Sequence, residues 1–465
     1  MTFVHHTDPA GRTTLVGSMD FVTTSTGQLL ATEFTYSPAW LANGYALGPD
    51  LPLTRGLQTF ATERLLPGAL SDAGPDQWGR GILKDARMQE WREERRSGSS
   101  LKALPPQLHD GQFVEMASDE ARQGALRLSH TASSPFISAP TGGVPKVIEL
   151  ERITEAVKRF EGHEANSADF DLLLRAGTTP GGARPKAVLR LESGVLGLAK
   201  FPHGSDRWDV LAWEATALEL ARRSGIEVPA FDLIRLSEAS SILVMERFDR
   251  VGSQGRVGYI SAHTLVQKTD TVPVTYTDLA ARQRTVSPSP HQDAENLIRR
   301  IAFTLLVHNV DDHMRNHGYL REANGWRLSP AFDINPWPQG ATFDSTALAP
   351  GFDPSDRRLE DLVLLAGSFG STADLVREVI GEVSEATRTW RDVASRFITA
   401  SEEIEYMENA LDNQATREAR EILTPTFQVP AGLPAAPTKP GMVWVKAHQR
   451  NGRSVPGRFR AQPTK

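Results

Sequence analysis

The chain has 465 residues, of which 40% are hydrophobic and 23% are charged, and it contains no cysteine. That composition is typical of a globular protein with two or three lobes, and the lack of thiols excludes disulfides, cysteine nucleophiles and cysteine-ligated metals. A net charge of −6 gives no overall basic field for nucleic acid, and without a signal peptide or a long apolar run we expect a cytoplasmic protein with no membrane partner.

The N-terminal part of the chain predicts a small subdomain rich in β-strands. Residues 13–36 alternate weakly around a Thr-Gly break, which predicts a hairpin, and residues 51–61 add a short strand. Asp76 is a candidate N-cap for a helix with an apolar stripe. Residues 97–112 and 131–145 are rich in Ser, Gly and Pro, so we expect loops on either side of a short helix.

The next part of the chain has the order loop, hairpin, helix, hairpin. An amphipathic helix over 149–160 precedes a glycine-rich loop, and a second helix over 206–224 lies between two hairpins. The residue after that helix, Gly225, is suited to a left-handed helix end. This arrangement can hold a nucleotide against a small antiparallel sheet.

The glycine-rich loop, residues 178–186, has the sequence TTPGGARPK. Gly181 and Gly182 allow backbone N–H groups to approach a phosphate closely. The sequence is not a Walker A motif and many turns resemble it, so alone it is weak evidence. Thr178 and Thr179 supply hydroxyls that a kinase could phosphorylate.

Lys200 ends the apolar strand of the first hairpin. Burying an ammonium group is costly unless it has an anionic partner, which a nucleotide phosphate or a carboxylate can supply. Glu214, in the following helix, is the candidate carboxylate. The alternatives are that Lys200 reaches solvent and that Glu214 lies on an exposed helix face.

The C-terminal part of the chain predicts a mostly helical lobe. Residues 249–292 are polar and irregular with helical pieces at 261–267 and 276–284. A helix is well marked over 293–308, and residues 355–425 are mostly helical.

A Pro-rich break separates the helical lobe from a basic tail, residues 441–465. Asn451 and Gly452 predict a small exposed hairpin in this tail. The basic residues of the tail could contact nucleic acid or an acidic partner, or the tail could be a solvated extension.

The strongest chemical signal follows the helix over 293–308. Asp311 stands five residues before Asn316, and Asp333 follows a short hairpin on what we expect to be a strand. An acid, an amide five residues later and a second acid match the catalytic loop and metal-binding residue of a magnesium-dependent phosphoryl transferase. The alternative is that these polar residues cap a helix and turn the chain.

Three histidines in the same stretch, His308, His313 and His317, suggest another possibility. His313 and His317 are four residues apart, which is a metal-ligand spacing on a helix. The sequence between them lacks the glutamate of a zinc metalloprotease. We therefore favour histidines that hydrogen-bond the loop over a zinc site.

The segments GGARPK, LAKFP, LVMERFDR, NVDDHMRN and LSPAFDINP occur in this order. Over about residues 15–400 the chain therefore resembles the HipA family of bacterial toxin kinases. The resemblance implies an α+β, bilobed protein-kinase-like fold with an added N-terminal β-rich subdomain and a mostly helical C-terminal lobe. The expected units are an N-terminal subdomain, a nucleotide-binding portion, a catalytic helical lobe, and a linker with the tail: 1–145, 146–248, 249–428 and 429–465.

The resemblance also implies an activity. It is that of an ATP-dependent serine/threonine protein kinase, the toxin of a type II toxin–antitoxin module, which phosphorylates a translation-related protein, such as an aminoacyl-tRNA synthetase, and arrests growth. The implied cofactors are ATP and Mg²⁺, and the implied partner is a HipB-like helix-turn-helix antitoxin that makes most of the DNA contact. Two other functions stay open: a small-molecule phosphotransferase of the same fold, and a catalytically quiet co-repressor subunit.

Residue roles follow from the resemblance position by position. It implies that Asp311 is the catalytic acid/base, that Asn316 and Asp333 hold magnesium, and that Lys200, paired with Glu214, contacts the nucleotide phosphates. The other implied nucleotide-binding residues are Glu246 and Phe248 at the hinge and Gly181 and Gly182 in the phosphate loop. Thr179 stands where the family usually has an autophosphorylated serine, with Thr178 as the alternative. Asp312 stands where some members have glycine, and the count to Asn316 selects Asp311.

Overall fold

A computed structural model gives the structure of the chain. It describes residues 1–62, 64–99, 107–133, 135–137, 143–177, 182, 184–267, 273–338 and 345–424, together with the backbone of four short strands between 442 and 461. Gly181, Thr178 and Thr179 lie outside the described residues, and so do the Pro-rich break and the side chains of the tail.

The N-terminal part is a five-stranded antiparallel sheet with helices on its connections. The strands occur in the order β4-β3-β2-β1-β5. The hairpin predicted over 13–36 is confirmed by the pairing of β2 with β3, whereas the first and the last strand of the sheet in chain order were not predicted. The elements are β1 (Thr2–Thr7), β2 (Thr13–Thr23), β3 (Leu29–Tyr36), α1 (Pro38–Asn43), β4 (Leu57–Phe60), α2 (Gly68–Asp72), α3 (Gln77–Arg96), α4 (Asp110–Met116) and β5 (Leu126–Ser129).

The second part is a four-stranded antiparallel sheet in the order β6-β7-β9-β8, with helices beside it. The predicted order of hairpin, helix and hairpin is confirmed. The second of the two helices that precede the first hairpin, residues 167–176, was not predicted. Gly225 has φ +75°, so α7 ends in the predicted left-handed conformation. The elements are α5 (Leu150–Glu161), α6 (Ser167–Ala176), β6 (Lys186–Arg190), β7 (Leu196–Lys200), α7 (Val210–Arg223), β8 (Phe231–Ser237) and β9 (Ser240–Glu246).

The third part is mostly helical, as predicted, with three short strands near its start and two more after its third helix. Three of those strands lie in the stretch that we had expected to be irregular with helical pieces. The elements are β10 (Arg250–Val251), β11 (Gly255–Arg256), β12 (Tyr259–Ser261), α8 (Ala262–Val266), α9 (Tyr276–Val286), α10 (Pro290–Leu306), β13 (Gly318–Glu322), β14 (Gly325–Leu328), α11 (Leu359–Leu364), α12 (Ala373–Thr387), α13 (Trp390–Phe397), α14 (Ser401–Leu411) and α15 (Gln414–Ile422).

The tail carries four short strands: β15 (Met442–Val445), β16 (His448–Arg450), β17 (Arg453–Val455) and β18 (Arg458–Ala461). The strands β16 and β17 pair antiparallel, with Arg450 opposite Arg453. The hairpin predicted around Asn451 and Gly452 is thus confirmed for the backbone of its strands.

The main core joins the N-terminal sheet to the helical lobe. One continuous cluster of buried apolar side chains includes Val4 and Phe34 from the sheet and Ile298 and Ile301 from α10. The helix α7 is buried along most of its length and packs against β9, α12 and α13. A polar side chain on α7 therefore needs a partner inside the protein. Glu214 is such a side chain, and its partner belongs to the site described next.

None of the helices in the described ranges is both long and apolar enough to cross a bilayer.

Candidate functional site

Lys200 and Glu214 meet inside the protein, as the sequence predicted. The Lys200 Nζ atom lies 2.5 Å from Glu214 Oε1 and 2.7 Å from Asp333 Oδ1. The Lys200 side chain is 5% exposed and the Glu214 side chain 1%, whereas the Asp333 side chain is 24% exposed. The alternatives in which Lys200 reaches solvent and Glu214 lies on an exposed face are therefore wrong. One buried ammonium joins a strand, a buried helix and the segment after β14.

The charges of this triad favour the ionised forms of Lys200 and Asp333. Burial opposes the charge of Lys200, but Asp333 and Glu214 together raise its pKa above the ordinary value. Burial likewise opposes the charge of Asp333, but Lys200 and Lys186 lower its pKa to about 2. Burial raises the pKa of Glu214 in spite of Lys200. Asp333 is thus the carboxylate that stays ionised and partly open to solvent.

Asp333 does not lie on a strand, so that part of the sequence prediction is wrong. It lies in an irregular segment after β14, and its backbone has φ +59°. Few residues other than glycine adopt this left-handed conformation, although aspartate tolerates it better than most. Strained backbone of this kind persists where the surrounding structure holds it, often at functional sites, and here the contact with Lys200 fixes the side chain.

The catalytic-loop candidates Asp311 and Asn316 are joined by a hydrogen bond. The Asn316 Nδ2 atom donates to the backbone oxygen of Asp311 over 3.1 Å. This bond orients the amide, whose Oδ1 atom is buried and accepts no hydrogen bond from any described residue. Asn316 and Asp333 line the same small cavity. The Asp311 side chain is 49% exposed, which leaves its carboxylate accessible to an incoming hydroxyl.

The neighbouring Asp312 has a structural role. Its carboxylate is 3% exposed and lies 2.5 Å from Arg357 Nη1 and 3.0 Å from His317 Nε2, and it accepts a hydrogen bond from the Tyr276 hydroxyl. Burial opposes the charge of Asp312, but His317, Arg357 and Tyr276 hold its pKa well below the ordinary range. A carboxylate with three partners is poorly suited to accept a substrate proton.

The pH dependence of stability should reveal this network. Because the pKa of Asp312 is lower in the folded state than the ordinary value of about 3.9, its stabilisation is fully present above that pH and is lost as the pH falls. We expect Asp312→Asn to lower the free energy of unfolding at pH 7 by about 3–5 kcal/mol, because Arg357 is left buried without its partner. Urea titrations at pH 7 and pH 3 should show a smaller difference at pH 3.

The control for this prediction is Asp374→Asn, because that side chain is 95% exposed. It should leave the urea midpoint unchanged at both pH values. An equal loss of stability at pH 7 and pH 3 for Asp312→Asn would show that the ionised carboxylate is not what stabilises the fold.

Two of the three histidines, His308 and His317, make hydrogen bonds, as favoured from the sequence. The buried Nδ1 atom of His313 has no hydrogen-bond partner among the described residues. His317 bonds Asp312, and its Nε2 atom also lies 3.1 Å from the Tyr276 hydroxyl. His308 Nδ1 lies 2.5 Å from the backbone oxygen of Trp337. Within the described ranges no group of three or more His, Cys, Asp and Glu side chains could hold a metal ion, so the zinc alternative has no support there.

A cleft beside the triad contains the two hinge candidates. Glu246 and Phe248 line it together with Lys200 and Asp333. Its apolar lining comes from both lobes and includes the rings of Phe248 and Phe332, whose centroids lie 5.8 Å apart. Apolar walls with charged groups at one end suit a nucleotide base and its phosphates.

Lys186 was not singled out as a site residue in the sequence, yet it lines the same cleft. It stands opposite Lys200 on the neighbouring strand, is 3% exposed, and its Nζ lies 2.9 Å from Asp76 Oδ2. Asp76 also caps α3 as predicted, accepting a hydrogen bond from the Gly79 backbone. The sequence shows only a lysine at the start of an apolar strand. The pairing could not be predicted, because the partner, Asp76, lies 110 positions earlier in the chain.

The described part of the glycine-rich loop includes Gly182. Its φ of +95° lies in the left-handed region, and a Cβ atom there would lie 3.7 Å from Lys186 Nζ. The backbone therefore passes close to the lysine. The roles of Gly181, Thr178 and Thr179 stay predictions.

Comparison with known proteins bears on this geometry. Residues 178–390 match the model of the HipA-like C-terminal domain. Over that range, a little under half of the chain, the sequence is that of a HipA-like C-terminal domain. The match contains both lobes of the cleft, the Lys200 triad and the Asp311 loop.

The individual proteins that this chain resembles have low sequence identity to it. A curated protein of Sinorhizobium fredii named "Putative kinase Y4mE" is 27% identical over 147 residues, which are 30% of this chain and 33% of that protein. The chain thus matches about a third of the length of this relative. HipA from Shewanella oneidensis MR-1, solved with HipB and operator DNA, is 14% identical with a TM-score of 0.62, covering 90% of this chain and 97% of that one. The kinase-like α+β fold expected from the sequence is therefore confirmed.

Proposed function

We propose that the chain is an ATP-dependent protein kinase that phosphorylates serine or threonine. The observation that carries this proposal is the cleft in which Lys200 bridges Glu214 and Asp333, next to a half-exposed Asp311 and an Asn316 amide oxygen without a described partner. These are the parts that phosphoryl transfer requires: a cation for phosphate, oxygen ligands for a metal, and a carboxylate for the attacking hydroxyl.

In the proposed reaction the acceptor hydroxyl attacks the γ-phosphorus of ATP and ADP leaves. Asp311 accepts the hydroxyl proton, and its carboxylate is exposed enough to meet a substrate from outside. Lys200, which lines the cleft, holds the phosphates, and Asp333 and Glu214 keep it charged. Phe248 and Glu246 bound the part of the cleft proposed for adenine.

The residues present fit magnesium. Asn316 offers a buried carbonyl oxygen, and Asp333 offers a partly exposed carboxylate, one oxygen of which contacts Lys200. Oxygen ligands of this kind are those that Mg²⁺ prefers, together with phosphate and water. When bound, the ion neutralises charge on the transferring phosphates.

We expect Asn316→Ala to raise the Mg²⁺ concentration for half-maximal nucleotide binding by about 10- to 100-fold, because the amide oxygen is lost from the site. The measurement is titration of a fluorescent ATP analogue at increasing Mg²⁺. A control amide, Gln89→Ala on the exposed surface of α3, should leave the titration unchanged. An unchanged Mg²⁺ requirement in Asn316→Ala would remove Asn316 from the metal site.

The biological setting is also a proposal. The resemblance and the fold shared with a HipA solved beside HipB and operator DNA support a toxin whose cognate helix-turn-helix antitoxin contacts DNA. The target would be a protein of translation, for which an aminoacyl-tRNA synthetase is a candidate. Thr179, or Thr178 beside it, is the proposed site of autophosphorylation.

The proposed function is tested by supplying labelled ATP and Mg²⁺ to the purified chain with two kinds of acceptor. A dephosphorylated cell lysate and a panel of hydroxyl-bearing sugars and antibiotics are used in parallel. We expect label on serine or threonine of lysate proteins and of the chain itself. Label only on a small molecule would establish the phosphotransferase alternative, and no label at all would support the quiet co-repressor.

A further inference from the structure

A large cavity lies between the N-terminal five-stranded sheet and the four-stranded sheet of the second part, here called the small lobe. It is separate from the cleft beside the Lys200 triad. Its volume is about 710 Å³, and none of the residues that line it lines the cleft. Thr13 and Arg127 reach it from the N-terminal sheet, and Arg190 reaches it from β6 of the small lobe. Its size suits a small organic ligand.

The lining of this cavity is rich in positive charge. The charged residues that line it are four arginines and two carboxylates: Arg127, Arg190, Arg250, Arg256, Asp119 and Glu120. Asp119 is shared, lying 2.5 Å from Arg127 Nη2 and 3.1 Å from Arg256 Nη2. Arg190 pairs with Glu120. The lining therefore carries two more positive charges than negative ones.

One of these arginines is buried with part of its hydrogen-bonding capacity unused. Arg256 is 6% exposed. Its Nη2 atom donates to the backbone oxygen and the carboxylate of Asp119, whereas its Nη1 atom has no partner among the described residues. Burial lowers the pKa of Arg256, and nearby Arg127 lowers it further against the attraction of Asp119. Such a buried donor calls for an acceptor.

We propose that this cavity binds a small phosphate-bearing anion, which joins the N-terminal sheet to the small lobe. A phosphate group carries about −1.5 to −2 charges near neutral pH. The lining offers it more positive than negative charge, although Arg250 is already paired with the buried Asp249 behind it. Guanidinium groups bind phosphate oxygens through paired, charge-assisted hydrogen bonds. Thr13, whose Oγ1 lies 2.8 Å from Thr7 Oγ1, adds a hydroxyl on the sheet side.

The position of Arg190 makes it the best residue to change. Its side chain is 31% exposed and holds Glu120 and the Gly194 backbone oxygen, so its loss leaves no fully buried group behind. Arg256 is less suitable, because its removal would strand Asp119. The matched control is Arg152 on α5, which is 71% exposed, lies 3.6 Å from Glu149 and does not line the cavity.

The test is calorimetric titration of the full chain with pyrophosphate, without divalent cations or nucleotide. We expect saturable binding that Arg190→Gln weakens at least tenfold and Arg152→Gln leaves unchanged. Thr13→Glu, which adds a negative charge at an exposed lining position, should weaken binding similarly without removing an arginine. Equal binding by the wild type, Arg190→Gln and Thr13→Glu would overturn the proposal, as would the absence of binding.

A second titration, with citrate, tests the class of ligand. Citrate should bind at least tenfold more weakly than pyrophosphate. If citrate binds as tightly and with the same dependence on Arg190, the assignment to phosphate is wrong. Because neither Arg190 nor Thr13 lies in the cleft, these outcomes are independent of whether the chain is a kinase.

Discussion

Replacing Asp311 by asparagine is expected to lower kcat for phosphoryl transfer by about 10²- to 10⁴-fold, the range typical for loss of a general base. The substitution keeps the size of the side chain and removes the group that accepts the hydroxyl proton. Nucleotide affinity should stay the same, because the triad that is proposed to hold the phosphates does not include Asp311. Single-turnover transfer from ATP and equilibrium binding of an ATP analogue measure the two quantities separately.

Two controls make the Asp311 result specific. Asp374→Asn, on the exposed surface of α12, should transfer phosphate at the wild-type rate. The urea midpoint of Asp311→Asn should match the wild type, since the Asp311 side chain is half exposed. A kcat within twofold of the wild type would show that Asp311 is not the base.

The second large effect is expected at Lys200. Lys200→Met leaves Glu214 buried without its counter-charge, and breaking a buried ion pair in this way destabilises proteins by about 3–5 kcal/mol. Nucleotide binding should also be lost, because the cation proposed for the phosphates is gone. Urea unfolding gives the first quantity, and the shift of the melting temperature by MgATP gives the second.

A second variant separates the structural role of Lys200 from its role in binding. Lys200→Met combined with Glu214→Met removes both members of the more buried pair of the triad, so part of the lost stability should return while MgATP still gives no shift. Lys158→Met, at an exposed lysine 3.2 Å from Glu155, is the control. A loss below about 1 kcal/mol in Lys200→Met would match an exposed ion pair and contradict the buried triad.

The site could be predicted from sequence where its chemistry is local. The interval between Asp311 and Asn316 lies within one loop, and the structure joins the two residues by a hydrogen bond. The pairing of Lys200 with Glu214 followed from the cost of burying a charge, and only 14 positions separate them. In both cases a short stretch of chain contains the physical reason for the contact.

Features that depend on distant segments could not be predicted. Lys186 pairs with Asp76 across two parts of the protein, and nothing near either residue indicates the other. Asp333 was placed on a strand because its neighbours are apolar, but that local pattern cannot show a backbone with φ +59°. The choice of Asp311 over Asp312 rested on counting, and the reason that Asp312 is buried lies partly in Arg357.

The arginine-lined cavity illustrates the same limit for binding sites. Arg127, Arg190 and Arg256 come from different sheets and stand more than 60 positions apart in the sequence. Each alone is an ordinary surface-type residue, and only the fold brings them to one cavity. The fold itself was more predictable, because hairpins and amphipathic helices follow from short-range periodicity.

The central claim, that Asp311 supports phosphoryl transfer to protein hydroxyls, is tested most directly by phosphoproteomics after brief induction of the wild-type chain and of Asp311→Asn at matched abundance. We predict new phosphoserine or phosphothreonine sites, in a translation protein and in the chain itself at Thr178 or Thr179, that are present only with the wild type. The same sites in both strains, or no new site with the wild type, would contradict the claim.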